Sequence, residues 1–187
     1  MKPLLIIVSG FSCTGKTTLA QKIAQEFNLP LIGRDNIKEV LFDSLGWEDK
    51  AWSKKLGSTS YRLLYYFIDT QLSVSQSLIV ESNFQPKFDN KYFQGFKTKY
   101  QAKILQIYCK TDPQILFKRY QERTDSGERH PGHVDHLNYA EYQENLNQNN
   151  YGFLAVGNHL VEVETTDFNS IDYQKIFKTI KNMFNYE

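Results

Sequence analysis

The run Gly10-Phe11-Ser12-Cys13-Thr14-Gly15-Lys16-Thr17 places two glycines, a lysine and a hydroxyl at the spacing G-x-x-x-x-G-K-[ST]. Glycine at both ends of the loop allows backbone angles that a Cβ would forbid. A loop curled in this way points its amide N–H groups inward, where they hold a chain of phosphates. Lys16 adds a mobile cation for the outer phosphates, and the Thr17 hydroxyl is a hard oxygen ligand suited to Mg²⁺. The expected nucleotide contacts are Gly10, Ser12, Cys13, Thr14, Gly15, Lys16, Thr17 and Thr18. Cys13 reads as a small filler at a variable loop position, since no resolving thiol stands near it.

The flanking elements suit such a loop. Leu4 to Val8 is a continuous apolar run, the pattern of a strand buried on both faces. Thr17 to Phe27 follows as a helix with Leu19, Ile23, Ala24 and Phe27 on one stripe, so the helix dipole adds its positive end to the loop. Further strands are expected at 30–32, 77–81, 103–108 and 160–163. Helices are expected at 36–42, 60–75, 88–100, 113–123, 138–147 and 171–184, with Asp35 as the N-cap of the first. Residues 43–56 are mixed, and 124–137 read as a loop. This alternation predicts an α/β three-layer fold, a five-stranded mostly parallel sheet with helices on both faces.

Composition excludes several classes. Lys plus Arg is 22 and Asp plus Glu is 21, a net charge of +1. That argues against a long nonspecific nucleic-acid clamp, which carries a clear basic excess. The mean hydropathy of −0.51 reflects Asn, Gln, Lys and Tyr rather than disorder. No apolar stretch approaches the roughly 18 residues of a membrane helix, and Leu4 to Val8 is too short for a signal peptide, so no membrane partner and a cytoplasmic location are expected. Cys13 and Cys109 have no metal-binding spacing and are expected to be reduced.

The order strand, P-loop, helix, strand, then Arg34-Asp35-x-x-Lys38, resembles the small P-loop kinases, notably polynucleotide 5′-kinase domains and small AAA-family ATP-binding kinases. The resemblance spans nearly the whole chain. It implies a single P-loop kinase domain over 1–187, with 36–76 as a helical acceptor flap and 124–137 as a lid. It implies ATP and Mg²⁺ as cofactors. Lys16 would act on the donor, Asp35 as general base, and Arg123 and Arg129 on the transferring phosphoryl group. Lys38, where the polynucleotide kinases have Arg, and Asn83 are the acceptor contacts. Thr17 and Glu81 are the metal contacts, although the related kinases have Asp where this chain has Glu81. The loop Glu164–Asp167 would frame the adenine, or be a plain turn with Asp167 or Ser170 capping the last helix.

Three further features are ambiguous from sequence. Arg119 and Arg123 share a helix face and read as cations near the lid. His130, His133 and His136 lack a zinc-like ligand set and read instead as phosphate-lid or substrate contacts. Trp47, Trp52, Tyr61, Tyr65, Tyr66 and Phe67 read chiefly as packing of the flap, with stacking on a substrate ring as the alternative. The function expected is transfer of the ATP γ-phosphate to a hydroxyl of a small-molecule acceptor. The alternatives are a polynucleotide 5′-hydroxyl kinase, with nucleic acid only as a 5′-end substrate, and a nucleotide-binding regulatory module with little turnover.

Overall fold

The structure, a computed structural model, describes residues 2–148, 152–157 and 159–185. Five strands, β1 (Leu4–Gly10), β2 (Leu31–Gly33), β3 (Leu78–Glu81), β4 (Lys103–Lys110) and β5 (Leu160–Glu164), form one sheet in the order β2-β3-β1-β4-β5. Every pairing is parallel, so the sheet is wholly rather than mostly parallel. The helices are α1 (Lys16–Phe27), α2 (Arg34–Leu45), α3 (Lys50–Ser73), α4 (Pro86–Tyr100), α5 (Pro113–Asp125), α6 (Tyr139–Asn147) and α7 (Tyr173–Asn185).

The continuous apolar run of β1 feeds two cores. Leu5 and Ile7 face Leu64, Ile68 and Leu72 of α3 and Phe93 of α4. Leu4, Ile6 and Val8 face Leu19 and Ile23 of α1 and Ile176 and Ile180 of α7. A strand's period of two sends alternate residues to opposite faces, which is why a central parallel strand needs apolar residues throughout.

Register then gathers the site. Glu81 pairs with Val8 on one side and Gly33 on the other, so the ends of β3 and β2 lie beside the loop after β1. Ligands of open α/β sheets bind at this carboxyl edge.

Local structure departs from the sequence reading in four places. Helix α2 begins at Arg34 with Gly33 as its N-cap, so Asp35 lies in the first turn and does not cap. Its carboxylate is drawn instead to two guanidiniums. Helix α3 starts at Lys50, inside the segment that read as mixed, with Asp49 accepting from Trp52 N at 2.7 Å. Gly57 and the Ser58-Thr59-Ser60 run weaken helix propensity there, and burial of Ser53, Leu56, Gly57 and Ser60 overrides it. The 124–137 loop contains two short 3₁₀ turns, Pro131–His133 and Asp135–Leu137. Asp167 caps the turn Phe168–Ser170, while Asp172 accepts from Lys175 N at 2.9 Å and opens α7.

Gly10 has φ 136°, and a Cβ there would lie 2.4 Å from the Cys109 carbonyl oxygen. Gly10→Ala therefore costs about 3 kcal/mol, from a backbone region nearly closed to L-residues and from displacement of β4. Thermal unfolding should fall by roughly 6–12 °C, and a fall under about 1 °C contradicts this account.

Candidate active site

The loop between β1 and α1 is shaped by Gly10, Cys13 and Gly15, all at positive φ (136°, 68° and 79°). Thr14 Oγ1 donates to the Phe11 carbonyl at 2.8 Å and closes the curl. Helix α1 has no side-chain N-cap and no acid in its first turn, which leaves its orphan N–H groups for an anion. Lys16 is buried and folds back, its Nζ donating to the Phe11 carbonyl at 2.7 Å and lying 3.8 Å from Glu81 Oε1. Thr17 Oγ1 donates to Glu81 Oε2 at 3.1 Å, so the two expected metal contacts meet. Burial raises the Glu81 pKa from its ordinary value, against the pull of Lys16. Thr18 is exposed on the first turn, Ser12 O accepts from Tyr142 of α6 at 2.9 Å, and burial raises the Cys13 thiol pKa, which fits a filler rather than a reactive group.

Asp35 is shared by two guanidiniums. Arg34 Nη2 donates to Oδ1, and Arg129 Nη2 donates to Oδ2 at 2.8 Å. Burial alone would raise the Asp35 pKa, but Arg34 and Arg129 more than offset it and hold the carboxyl well below its ordinary range. Arg129 Nε lies 2.8 Å from Asp135 Oδ2, and Arg123 Nη2 donates to the same oxygen at 3.2 Å. The structure thus brings Asp35, Arg123 and Arg129 into one cluster. Arg119 stands apart from it, despite sharing a helix face with Arg123. It donates to the carbonyls of Thr165 (2.9 Å) and Thr166 (2.7 Å) and lies 3.9 Å over the Phe168 ring. Phe168 in turn abuts Gly15, whose added Cβ would come 2.6 Å from that ring.

His130 and His133 tie the segment after α5 to α2. His133 is buried; its Nδ1 lies 3.1 Å from Arg129 Nη2, and its Nε2 lies 2.9 Å from Glu39 Oε1. Because a guanidinium has only hydrogens to offer, Nδ1 accepts and Nε2–H donates to Glu39. His130 stacks on Phe42 with centroids 5.0 Å apart and reaches Asp43 at 3.2 Å. Gly132 presses on the same ring, where a Cβ would come within 2.7 Å. His136, in the second 3₁₀ turn, is exposed.

Lys38 is 7% exposed, and its Nζ donates to Ser53 Oγ at 2.9 Å. Burial first, and the neighbouring Arg34 second, lower its pKa to about 8. Asn83 Oδ1 accepts from Tyr61 OH at 3.2 Å. Two cavities meet here. One of about 250 Å³ is bounded by Phe11, Ser12, Asn83, Arg129 and His133. Another of about 480 Å³ is bounded by Tyr61, Tyr65, Phe88, Asp89 and Tyr92. Arg34, Lys38, Ser53 and Lys54 border both.

Of the aromatic set, Tyr61 and Tyr65 reach the larger cavity. Trp47 packs edge-on to His130, Phe67 packs against the core, and Tyr66 is exposed. Sequence reasoning gave no role to Arg34, Glu39, Ser53 or Gly57. The spacing of Arg34 and Lys38, four residues apart on a helix, was the available signal for one shared face. Glu39, Ser53 and Gly57 had no local signal.

Two measurements check this geometry. The burial that lowers the His133 pKa to about 2, aided by Arg129, keeps the ring neutral across ordinary pH. Nitrogen NMR should show a fixed Nε2–H tautomer between about pH 5 and pH 8, and a titration step there contradicts the chain from Glu39 to Arg129. Lys38→Met removes a buried charge and should raise thermal unfolding at pH 7 by roughly 2–4 °C. The unfolded lysine keeps its proton to roughly pH 10.4, so wild-type stability climbs between about pH 8 and that value, and the variant's advantage shrinks over the same window. A pH-independent difference contradicts the assignment.

Residues 5–148 match the sequence profile of a family described as AAA domain. The crystal structure of a candidate kinase from Chloroflexus aurantiacus J-10-fl is 38% identical and superposes with a TM-score of 0.90, over 98% of this chain and 99% of that one. A sugar kinase from Janibacter sp. HTCC2649 is 13% identical with a TM-score of 0.59, over 99% and 95% of the two chains. A gluconokinase from Sinorhizobium meliloti 1021 is 14% identical, also with a TM-score of 0.59, over 98% and 95%. At those identities the likeness is one of fold. No curated protein matches the chain. The chain belongs to the AAA domain family, and its fold is that of the small P-loop kinases.

Proposed function

We propose that the protein transfers the γ-phosphate of ATP to a hydroxyl group of a small-molecule acceptor. One observation carries this reading. The smaller cavity has the P-loop residues Phe11 and Ser12 on one wall and Arg129, the partner of Asp35, on another. The donor loop and the guanidiniums that hold the proposed base would therefore border one open cleft, the arrangement in-line transfer needs. The candidate kinase at 38% identity supports the same class of reaction.

The loop N–H groups and Lys16 would bind the β- and γ-phosphates. Thr17 and Glu81 are hard oxygen donors in contact and would hold Mg²⁺, which when bound neutralises phosphate charge. The loop 164–167, tied to Arg119 and reaching Gly15 through Phe168, is the place for the base of the nucleotide. As the acceptor oxygen bonds to the γ-phosphorus, its proton passes to Asp35 and the bond to the β-phosphate oxygen breaks, releasing ADP. In the ground state Arg129 holds Asp35 ionised but makes it a weak base. Movement of Arg129 onto the transferring oxygens would stabilise their charge and free Asp35 to accept the proton. In this reading 1–187 works as one unit, with 36–76 over the acceptor and 124–137 as the lid. No helix among the described residues is long and apolar enough to cross a membrane.

The test is ADP release with ATP, Mg²⁺ and a panel of nucleosides, sugars, hydroxy acids and a 5′-hydroxyl oligonucleotide. A small molecule should stimulate release. Asp35→Asn should cut kcat by about 10²–10⁴ with ATP affinity little changed. Full activity in that variant removes Asp35 as the base. ATP binding with no acceptor-stimulated turnover favours the regulatory alternative, and stimulation by the oligonucleotide alone favours the polynucleotide one.

A further inference from the structure

Arg34 and Lys38 project from one face of α2 toward α3, and they meet it at Gly57. A Cβ built on Gly57 would lie 3.7 Å from Arg34 Nη1 and 3.7 Å from Lys38 Nζ. The absence of a side chain there leaves two cationic ends side by side, on the boundary between the two cavities.

Their counter-charge is incomplete. The buried Lys38 ammonium has a neutral hydroxyl, Ser53 Oγ, as its hydrogen-bond partner, and it forms no ion pair with a carboxylate among the described residues. Arg34 has Asp35, but Arg129 shares that carboxylate. Arg34 Nε is buried without a hydrogen-bond partner among the described residues. Asp89, the acid lining the larger cavity, already accepts from Tyr65 OH and Gln85 N. Of the two acids lining the smaller cavity, Glu141 is paired with Lys50 at 2.8 Å, and Asp135 is taken by Arg129 at 2.8 Å and Arg123 at 3.2 Å. A buried cation without a counter-ion is unfavourable, and a bound anion relieves that cost.

Beyond the cations the larger cavity is aromatic. The Tyr61 ring lies 5.2 Å from the Arg34 guanidinium carbon, and Tyr65 and Tyr92 stack at 4.0 Å to form a flat wall with Phe88 nearby. Its volume of about 480 Å³ is that of a small-molecule site rather than a groove for a polymer.

We propose that the acceptor is an anionic, ring-bearing small molecule: its carboxylate or phosphate binds between Arg34 and Lys38, its hydroxyl lies on the Asp35 side, and its ring lies on the tyrosine side. The role of the hydroxyl rests on the phosphotransferase reading. The anion seat does not, because it exists without turnover.

The test is therefore a binding measurement with minimal probes. Benzoate and phenyl phosphate are compared with their neutral counterparts, benzamide and phenol, by NMR titration of the whole protein with a non-hydrolysable ATP analogue and Mg²⁺ filling the P-loop. At least one anion should bind at millimolar concentration, about tenfold or more tighter than its neutral counterpart. Benzoate alone identifies a carboxylate seat, phenyl phosphate alone a phosphate seat. Lys38→Met should weaken the bound anion about tenfold. Gly57→Glu, which sets a carboxylate between the two cations, should abolish anion binding while analogue affinity stays within about twofold. Equal binding of neutral probes, no binding of either anion, or anion binding unchanged in both variants would overturn the proposal. Failure of the analogue to bind counts against the phosphotransferase reading alone, and the same titration is then read on the nucleotide-free protein.

Discussion

One carboxylate is shared between guanidiniums from distant parts of the chain. Asp35 accepts from Arg34, its neighbour on α2, and from Arg129, 94 residues away in the segment after α5. Neither cation is cheap to bury alone, and removing Asp35 would leave two largely buried guanidiniums without their shared counter-charge. The position of Arg129 therefore depends on Asp35, and Arg129 joins Arg34 in holding the Asp35 carboxyl ionised. Around this pair the remaining contacts fall into place. Asp135 braces Arg129 and Arg123, His133 passes a hydrogen bond from Arg129 to Glu39, and Phe42 supports His130 and Gly132.

The phosphate loop is built on a different constraint, the close approach of backbones. Gly10 lies against the Cys109 carbonyl and Gly15 against Phe168, so β4 and the segment after β5 both press on the loop. The parallel register then sets Glu81 beside Thr17 and Lys16. Packing fixes the loop after β1, and charge fixes the cluster around Asp35.

Much of this was legible in the chain. The apolar run Leu4–Val8 followed by G-x-x-x-x-G-K-T predicts a buried strand, a phosphate loop and a helix, and all three are present. Alternating strands and helices predict the layered sheet. Less legible were features whose signal is not periodic. The start of α3 was hidden because Gly57 and its hydroxyl-rich neighbours are poor helix formers, yet Gly57 is where Arg34 and Lys38 gain their space. Asp35 beside a helix start looked like a cap, because nothing local announces a guanidinium from residue 129.

The sequence by itself determined the phosphate-binding loop, the fold class and the identities of the charged groups, since these follow from local backbone freedom and hydrophobic period. Tertiary structure alone decided how those charges pair. Ion pairing depends on distances between elements far apart in sequence and on how deeply each charge is buried. The near-balance of 22 basic and 21 acidic residues accordingly conceals a cluster in which Lys38 forms no ion pair with a carboxylate among the described residues.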